Sequence, residues 1–227
     1  MDEPVRHTAS QFEFGSPPLP RSFFDRDTVT VARELLGMLL VRATHRGWQV
    51  GRIVETEAYL ATHDSACHAA RGRTRKNASM FGRPGTAYVY AIHARWCCNV
   101  VTEPRGTPAA VLIRAVEPLA GLAAMEERRQ TNRLLDLARG PARLCEAFAI
   151  DRRLDGWDLC RGHRLWLTTP LPQLPSPANS PSPALLPPLP PGSIRCSPRI
   201  GVTSAQDLPL RFYLASSPFV SGTRSAN

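Results

Sequence analysis

The sequence predicts an α+β fold, a single domain in which a curved, mainly antiparallel β-sheet is surrounded by helices. Short strand-like and helix-like segments follow one another without the regular alternation that a parallel sheet requires. No internal repeat of useful period is present. A chain of 227 residues with 43% hydrophobic content is long enough to bury one core.

Composition divides the chain into a folded domain and three irregular parts. We expect residues 1–20 to be a disordered tail, residues 21–222 to form the domain, and residues 223–227 to be a loose C-terminus. Residues 170–192 contain ten of the 22 prolines. This stretch predicts a mobile insertion of polyproline II type, for which a plain spacer is favoured over a ligand for a Pro-binding module.

The first elements are a helix and a hairpin. Asp27 or Thr28 is a candidate N-cap, helical spacing continues through Val31 and Leu35, and Gly37 is placed to end the helix. A strand through residues 39–41 follows. A turn at residues 45–47 then reverses the chain into the strand W-Q-V-G-R-I-V.

Later segments predict five more strands and two helices. A turn at Pro84-Gly85 begins a strand, and A-V-L-I-R-A-V forms another that ends at Glu117-Pro118. One helix is expected over residues 119–129, and another follows Gly140 with its buried side formed by Leu144, Ala147 and Phe148. Short strands are expected at Trp166, at S-P-R-I-G-V-T and at P-L-R-F-Y-L.

Charge and cysteine content limit the possible partners and compartments. The net charge of +9 and the pI near 10.0 favour a polyanionic partner. Six cysteines without a C-x-x-C pair predict free thiols in a reducing compartment and no zinc site. Neither a signal peptide nor a membrane span is visible, so we expect a protein that is not secreted: cytoplasmic at the nucleoid if bacterial, nuclear if eukaryotic.

The stretch from residue 54 to residue 68, V-E-T-E-A-Y-L-A-T-H-D-S-A-C-H, holds the most potential chemistry. Glu55 and Glu57 are two positions apart, so their side chains point to the same side of an extended strand. A carboxylate in such a pair is a candidate to take a proton from water. An isolated E-x-E is also typical of a solvated edge strand.

Three further features carry charge or aromatic rings. Arg114 lies inside an apolar strand, where it requires a carboxylate or phosphate partner. The segment R-G-R-T-R-K is either a phosphate clamp or an ordinary solvated loop, and its basic residues are Arg71, Arg73, Arg75 and Lys76. Tyr88 and Tyr90 share a strand face, which is typical of core packing and would also form a stacking wall for a base.

The ordered motifs resemble those of the alkyladenine (3-methyladenine) DNA glycosylase family of base-excision repair. The motifs are V-E-T-E-A-Y, D-x-x-x-H, M-F-x-x-P-G-T-x-Y-V-Y, V-L-I-R-A-V-E-P, G-P-x-x-L-C, S-P-R-I-G-V and P-L-R-F-Y, between about Phe23 and Val220. The resemblance implies a monofunctional enzyme that flips a damaged purine out of duplex DNA and hydrolyses its N-glycosidic bond. It implies no metal and no cofactor, and we expect a monomer that binds double-stranded DNA.

The same resemblance implies roles for individual residues. Glu57 matches the general base that activates a water, and Arg114 and the backbone carbonyl of Ile200 match the groups that hold this water. Tyr59 and Tyr90 match the rings that sandwich the flipped base. His68 would hydrogen-bond the base or sugar, and Asn99 would lie where a guanine amino group is sensed.

The chain departs from the family pattern at two places. The family has an aromatic-Gly segment after Y-V-Y that enters the gap left by the flipped base, whereas here A-I-H-A-R-W-C-C-N is one residue shorter. The DNA wedge is therefore Ile92 or His93, and His93 is favoured because it follows the strand face that ends at Ile92. The Pro-rich insertion precedes Ile200, and we expect it to bulge outward without disturbing that segment.

Two other function classes remain open at this point. A non-catalytic DNA-binding module would need the charge and the aromatic rings but not Glu57. A glycan hydrolase would use Glu55 and Glu57 as acid and base, although four dispersed tryptophans do not suggest a sugar-binding groove.

Overall fold

The structure of the protein, a computed structural model, describes residues 17–170 and 189–222. The expected tail up to residue 16, residues 171–188 of the expected insertion, and residues 223–227 lie outside these ranges. Pro18 pairs with Thr168, and Leu19 is buried. The chain therefore already pairs with the sheet at Pro18, three residues before residue 21, at which the sequence analysis placed the start of the domain.

Within the described ranges, eight strands form one antiparallel sheet, which confirms the predicted fold class. The strands are β1 (Leu39–Thr44), β2 (Gly47–Tyr59), β3 (Ala87–Ile92), β4 (Arg95–Thr102), β5 (Ala109–Ala120), β6 (Leu165–Thr168), β7 (Ile194–Ser197) and β8 (Arg211–Leu214). Their order is β3-β4-β5-β2-β1-β6, and β8 pairs with both β2 and β7.

Five α-helices accompany the sheet in the same ranges. They are α1 (Arg21–Phe24), α2 (Thr28–Glu34), α3 (Leu122–Arg129), α4 (Leu134–Leu137) and α5 (Pro141–Ala147). None of the helices in the described ranges is both long and apolar enough to cross a membrane.

The long strand β2 changes its partner halfway along. Its first half, up to Arg52, pairs with β1, and its segment from Glu55 to Glu57 pairs with β8. On its other edge the pairing with β5 shifts register between Ile53 and Thr56. Such shifts bend a strand and re-aim its side chains. The two glutamates therefore lie where the sheet curls, between β5 and β8.

The main core lies between the helices and the sheet. Phe24, Leu35, Ile53 and Phe148 are all fully buried in it. Burying one such side chain contributes about 1.5–3 kcal/mol. The hydroxyl of Thr56 donates a 2.8 Å hydrogen bond to a carbonyl of α2, which fixes this helix against the part of β2 that carries the glutamates.

Several predicted elements are confirmed. Asp27 is the N-cap of α2 and accepts a 2.8 Å hydrogen bond from the backbone N–H of Thr30. Gly37 follows this helix with φ of 88°, a conformation that favours glycine. The β1–β2 hairpin, the helix after Gly140, and the strands at Trp166 and Phe212 are also present.

The helix predicted over residues 119–129 was wrong at its start. Strand β5 continues through Pro118 to Ala120, and the helix begins only at Leu122. Gly121 separates them with φ of 75°, and a Cβ atom there would lie 2.3 Å from the carbonyl oxygen of Trp48. A register shift opposite Pro118 lets a residue without an N–H stay in the strand.

The strand predicted at S-P-R-I-G-V-T was also misplaced. Strand β7 ends at Ser197, and Pro198 to Ile200 lie outside any strand. Proline has no N–H to extend the ladder. The polar groups of Arg199 and the N–H of Ile200 bond instead to residues of β2 and the loop after it.

Candidate active site

Glu57 lies at the centre of the candidate site. Its side chain is fully buried near the end of β2. Oε1 accepts a 2.8 Å hydrogen bond from the backbone N–H of Ile200 and lies 3.1 Å from Nη1 of Arg114. Oε2 accepts a 2.9 Å hydrogen bond from the hydroxyl of Tyr59. The carboxylate is therefore held by a cation and two neutral donors.

The Tyr59 hydroxyl donates a hydrogen bond to the Glu57 carboxylate and does not give up its proton. Burial, followed by the negative charge of Glu57 and their hydrogen bond, raises the pKa of Tyr59 well above its ordinary value. The hydroxyl stays protonated at neutral pH. One residue thus supplies both an aromatic ring and a hydrogen-bond donor for Glu57.

Arg114 is the charged partner that the sequence required for an arginine inside an apolar strand. Its Nε lies 3.0 Å from Oε1 of Glu55, while its Nη1 contacts Glu57. Burial alone would lower the pKa of Arg114, but the two carboxylates outweigh burial and raise it above the ordinary value. The guanidinium therefore remains charged and joins the two glutamates.

Glu55 is a structural anion. Its carboxylate accepts hydrogen bonds from Nε of Arg114 and Nε of Arg211, at 3.0 and 2.6 Å, and from both the N–H and the hydroxyl of Ser221, at 2.7 and 2.9 Å. Its side chain is fully buried. These four donors tie β2, β5 and β8 to the C-terminal segment, and they leave Glu55 unsuited to donate a proton as a glycan hydrolase acid.

A second buried ion pair supports the site. Arg199 bonds both oxygens of Asp64 at 2.6 Å, and its guanidinium carbon lies 4.6 Å from the ring centre of Tyr59. This pair fixes the residue before Ile200 against the end of β2. The sequence analysis gave no role to Asp64 or Arg199. Both residues nevertheless belong to motifs that it identified, D-x-x-x-H and S-P-R-I-G-V.

The predicted base-binding residues surround one small cavity. The side chains that line it are those of Tyr59, His68, Met80, Tyr88, Tyr90 and Asn99. Four of these residues were the base-binding candidates from the sequence. Tyr88, whose face was correctly predicted, forms part of the wall and not only of the core.

His68 is oriented by the two tyrosines of β3. Its Nδ1 lies 2.8 Å from the hydroxyl of Tyr88, and its ring packs edge-on against Tyr90 with 4.4 Å between ring centres. Burial lowers the pKa of His68 and raises that of Tyr88. At neutral pH a protonated hydroxyl thus faces an uncharged imidazole. In the tautomer in which Nδ1 accepts from this hydroxyl, Nε2–H is left as a donor toward a ligand.

Asn99 and Cys97 lie on β4 behind these rings. Asn99 is buried and donates a 2.9 Å hydrogen bond to the carbonyl of Tyr88, the residue opposite it in the ladder. Cys97 pairs with Tyr90 in the same ladder, and their side chains are hydrogen-bonded. All six cysteines have free thiols.

A groove of about 290 Å³ opens beside the cavity and shares three of its residues, Tyr59, His68 and Tyr90. Arg71, Ile92 and residues 201–204 also line the groove. Ile92 is 47% exposed at the end of β3, and His93 follows it in the hairpin turn with φ of 47°. Both wedge candidates therefore lie at the exposed tip of this hairpin.

The basic loop borders the same groove. Arg71, Arg73, Arg75 and Lys76 are all exposed. The buried side chain of Asn77 donates to the carbonyls of His68 and Gly72 at 3.0 Å and accepts from the N–H of Thr74 at 2.6 Å. Asn77 thereby fixes the basic loop to the residue that faces the cavity.

The backbone carbonyl of Ile200 was the group expected beside the water. The contact found at Glu57 is made by the N–H of this residue instead. The role of the carbonyl stays a prediction. In the described ranges no group of three or more His, Cys, Asp or Glu residues is arranged to hold a metal ion.

Sequence comparisons with known proteins show the family to which the chain belongs. A sequence model of the methylpurine-DNA glycosylase family matches residues 22–218. A relative from Rhodopirellula baltica is 44% identical over 90% of this chain and 83% of its own, and one from Methanoculleus marisnigri is 48% identical over 89% and 98%. Both carry the name "Putative 3-methyladenine DNA glycosylase". With a buried carboxylate beside an aromatic cavity, these matches show that the chain belongs to the methylpurine-DNA glycosylase family of DNA repair enzymes, which are hydrolases of N-glycosyl bonds.

Proposed function

We propose that the protein is a monofunctional glycosylase that flips alkylated or deaminated purines out of duplex DNA. Its lesions belong to the class of 3-methyladenine, hypoxanthine and ethenoadenine, and a water activated by Glu57 hydrolyses the N-glycosidic bond to leave an abasic site. The observation that carries the proposal is the buried Glu57 carboxylate, which accepts a hydrogen bond from Tyr59, one of the three tyrosines that line the cavity.

The contacts of Glu57 support a specific place for the water. A carboxylate has about four acceptor positions. Oε1 is occupied by Ile200 and Arg114, whereas Oε2 accepts only the Tyr59 hydroxyl among the described residues. The free position on Oε2 would bind the water, remove its proton, and direct its oxygen at the sugar carbon of a nucleotide whose base lies in the cavity.

The aromatic rings would hold the base during this step. Tyr59 and Tyr90 would stack on the flipped purine, and electron-poor alkylated purines stack well on electron-rich rings. His68 would donate from Nε2 to the base or sugar. Asn99 would detect the amino group of guanine.

The surface around the groove would hold the duplex. The hairpin tip at Ile92 and His93 would fill the gap left by the flipped base. The exposed residues of the basic loop would contact phosphates. Lys76 is the single lysine, and we assign it to phosphate contact in this loop. No lysine would therefore form a Schiff base with the sugar, and strand cleavage is not expected. The enzyme would act as a monomer on double-stranded DNA.

Excision assays with Glu57→Gln test the proposal. Substrate duplexes carry hypoxanthine or 3-methyladenine, and Glu34→Gln, at an exposed position, is the matched control. Losing a general base lowers the single-turnover rate by about 10²–10⁴-fold, and we expect duplex binding to persist. Equal product from Glu57→Gln and wild type would favour another base or, if neither protein releases any, a non-catalytic DNA-binding module.

A further inference from the structure

A second concave site lies away from the aromatic cavity. It is a cleft of about 950 Å³ between the β1–β2 hairpin, the end of α3 and the residue before β6. Five arginines line it: Arg42, Arg46, Arg128, Arg153 and Arg164. None of them is among the residues assigned to excision above.

The carboxylates of the cleft do not balance these cations. Glu127 forms an ion pair with Arg46, and Asp151 forms a two-pronged pair with Arg153. Among the described residues, no carboxylate lies within ion-pair distance of the other three arginines. Five guanidinium groups thus share two acids in one cleft.

Neutral groups hold the three uncompensated arginines in place. Arg42 donates to the carbonyl oxygens of Ala43 and Arg164, at 2.8 and 3.0 Å. Arg128 donates one N–H to the carbonyl of Ala147 at 2.7 Å, and its other N–H groups have no acceptor among the described residues. These arginines are therefore oriented without losing their charge.

Arg164 is held in a different way. Its guanidinium carbon lies 4.6 Å from the ring centre of Trp157, a cation–π contact that holds this side chain without a carboxylate. A guanidinium presents its donors in a rigid fork that suits phosphate oxygens. The cleft combines such forks with a surplus of positive charge.

The arginines also repel one another. Burial and then the charge of Arg164 lower the pKa of Arg42, with Arg128 and Arg153 acting in the same direction and Asp151 opposing them. Burial and then Arg46 lower the pKa of Arg128. A bound anion would relieve this repulsion.

The cleft is remote from the aromatic cavity. It lies at the start of β2, beside Trp48, whereas Glu57 and Tyr59 are near the other end of that strand. At about 3.3 Å per residue, roughly 30 Å of strand separates Trp48 from Glu57, measured along β2.

We infer that this cleft is a second phosphate-binding site, which holds the backbone of a DNA segment other than the one whose base enters the aromatic cavity. The substrate of the family is a polymer of phosphodiesters, and several fixed guanidinium groups match its repeated charge. The inference rests on DNA being the substrate and is independent of which residue acts as the base.

A capture assay tests it. A 12-base-pair duplex with a stable abasic analogue is immobilised and loaded with the full chain, and a labelled, undamaged 30-base-pair duplex is then added. We expect wild type to capture the second duplex and the double variant Arg128→Gln/Arg164→Gln to capture at least tenfold less. Excision from a 12-base-pair lesion duplex by this variant should stay within twofold of wild type, which also shows that it is folded.

The matched control is Arg105→Gln/Arg133→Gln, which removes the same charge from exposed positions outside the cleft. It should retain capture within twofold. No capture by wild type, or an equal loss in the control, overturns the inference. Saturable binding of pyrophosphate to the cleft without capture of a second duplex would also overturn it, in favour of a small phosphate ligand. Absent excision in wild type would count against the proposed function alone.

Discussion

Arg199 and Asp64 form a two-pronged ion pair in which each carboxylate oxygen lies 2.6 Å from a guanidinium nitrogen, and both side chains are fully buried. The pair connects the loop after β2 to the segment that supplies the N–H of Ile200. Arg199 also donates a 2.9 Å hydrogen bond to the carbonyl of Ala58, next to Glu57. The geometry around Glu57, the candidate general base, therefore depends on an ion pair that is buried from solvent and does not line the cavity.

Removing the carboxylate of this pair should destabilise the fold. Asp64→Asn leaves the Arg199 charge buried without a counter-ion, and breaking a buried pair in this way costs about 3–5 kcal/mol. The free energy of unfolding from urea titration measures the effect, with the exposed Asp207→Asn as control. If the free energy of unfolding decreased by less than about 1 kcal/mol, the segment around Arg199 would have rearranged to expose the guanidinium to solvent.

The same pair predicts a pH dependence of stability. Burial alone would raise the pKa of Asp64, but hydrogen bonds from Arg199 and two backbone N–H groups lower it below its ordinary 3.8. The native state then binds fewer protons than the unfolded state, so the stabilisation is complete above about pH 4 and is lost as the pH falls through the lowered pKa. The stability difference between wild type and Asp64→Asn should be constant from pH 5 to 7 and narrow below pH 4. A difference that does not change with pH would contradict the lowered pKa.

The hairpin tip should matter only for duplex substrates. Ile92→Ala and His93→Ala each shorten a side chain that we propose enters the gap left by the flipped base, so the extruded state loses support. Single-turnover excision from a duplex should fall by about tenfold for the residue that acts as the wedge, which corresponds to about 1.4 kcal/mol. Excision from a single-stranded oligonucleotide should be unchanged, since it contains no gap to fill. An equal loss on both substrates would indicate damage to the cavity instead.

The basic loop should set part of the salt dependence of DNA binding. Replacing Arg71, Arg73, Arg75 or Lys76 by Gln removes one phosphate contact each if the proposal is right. The slope of log K against log salt should then fall by about one per residue, equally for all DNA sequences. Fluorescence anisotropy at several salt concentrations measures the slope, with the exposed Arg152→Gln as control. An unchanged slope would mean that the residues of this loop do not contact DNA phosphates.

Local chemistry determined much of the fold in advance. The cap at Asp27, the glycine after α2, the β1–β2 hairpin and the buried face of α5 follow from turn residues and spacing within a few positions. The sequence analysis failed where a distant contact decided the conformation. Gly121 looked like an ordinary helix position, but its left-handed backbone lies against the carbonyl of Trp48, and strand β5 therefore extends past Pro118.

By itself, the sequence determined the family, the α+β class and the set of candidate residues, because motifs and periodicity are local properties of the chain. Only the tertiary structure decided which glutamate is available for chemistry. Glu55 and Glu57 occupy the same face of one strand, yet Glu55 is bonded to four donors from β5, β8 and Ser221, whereas Glu57 keeps an oxygen with one donor beside the tyrosines. The donors to Glu55 lie 59 to 166 positions away along the chain, and their approach is a property of packing.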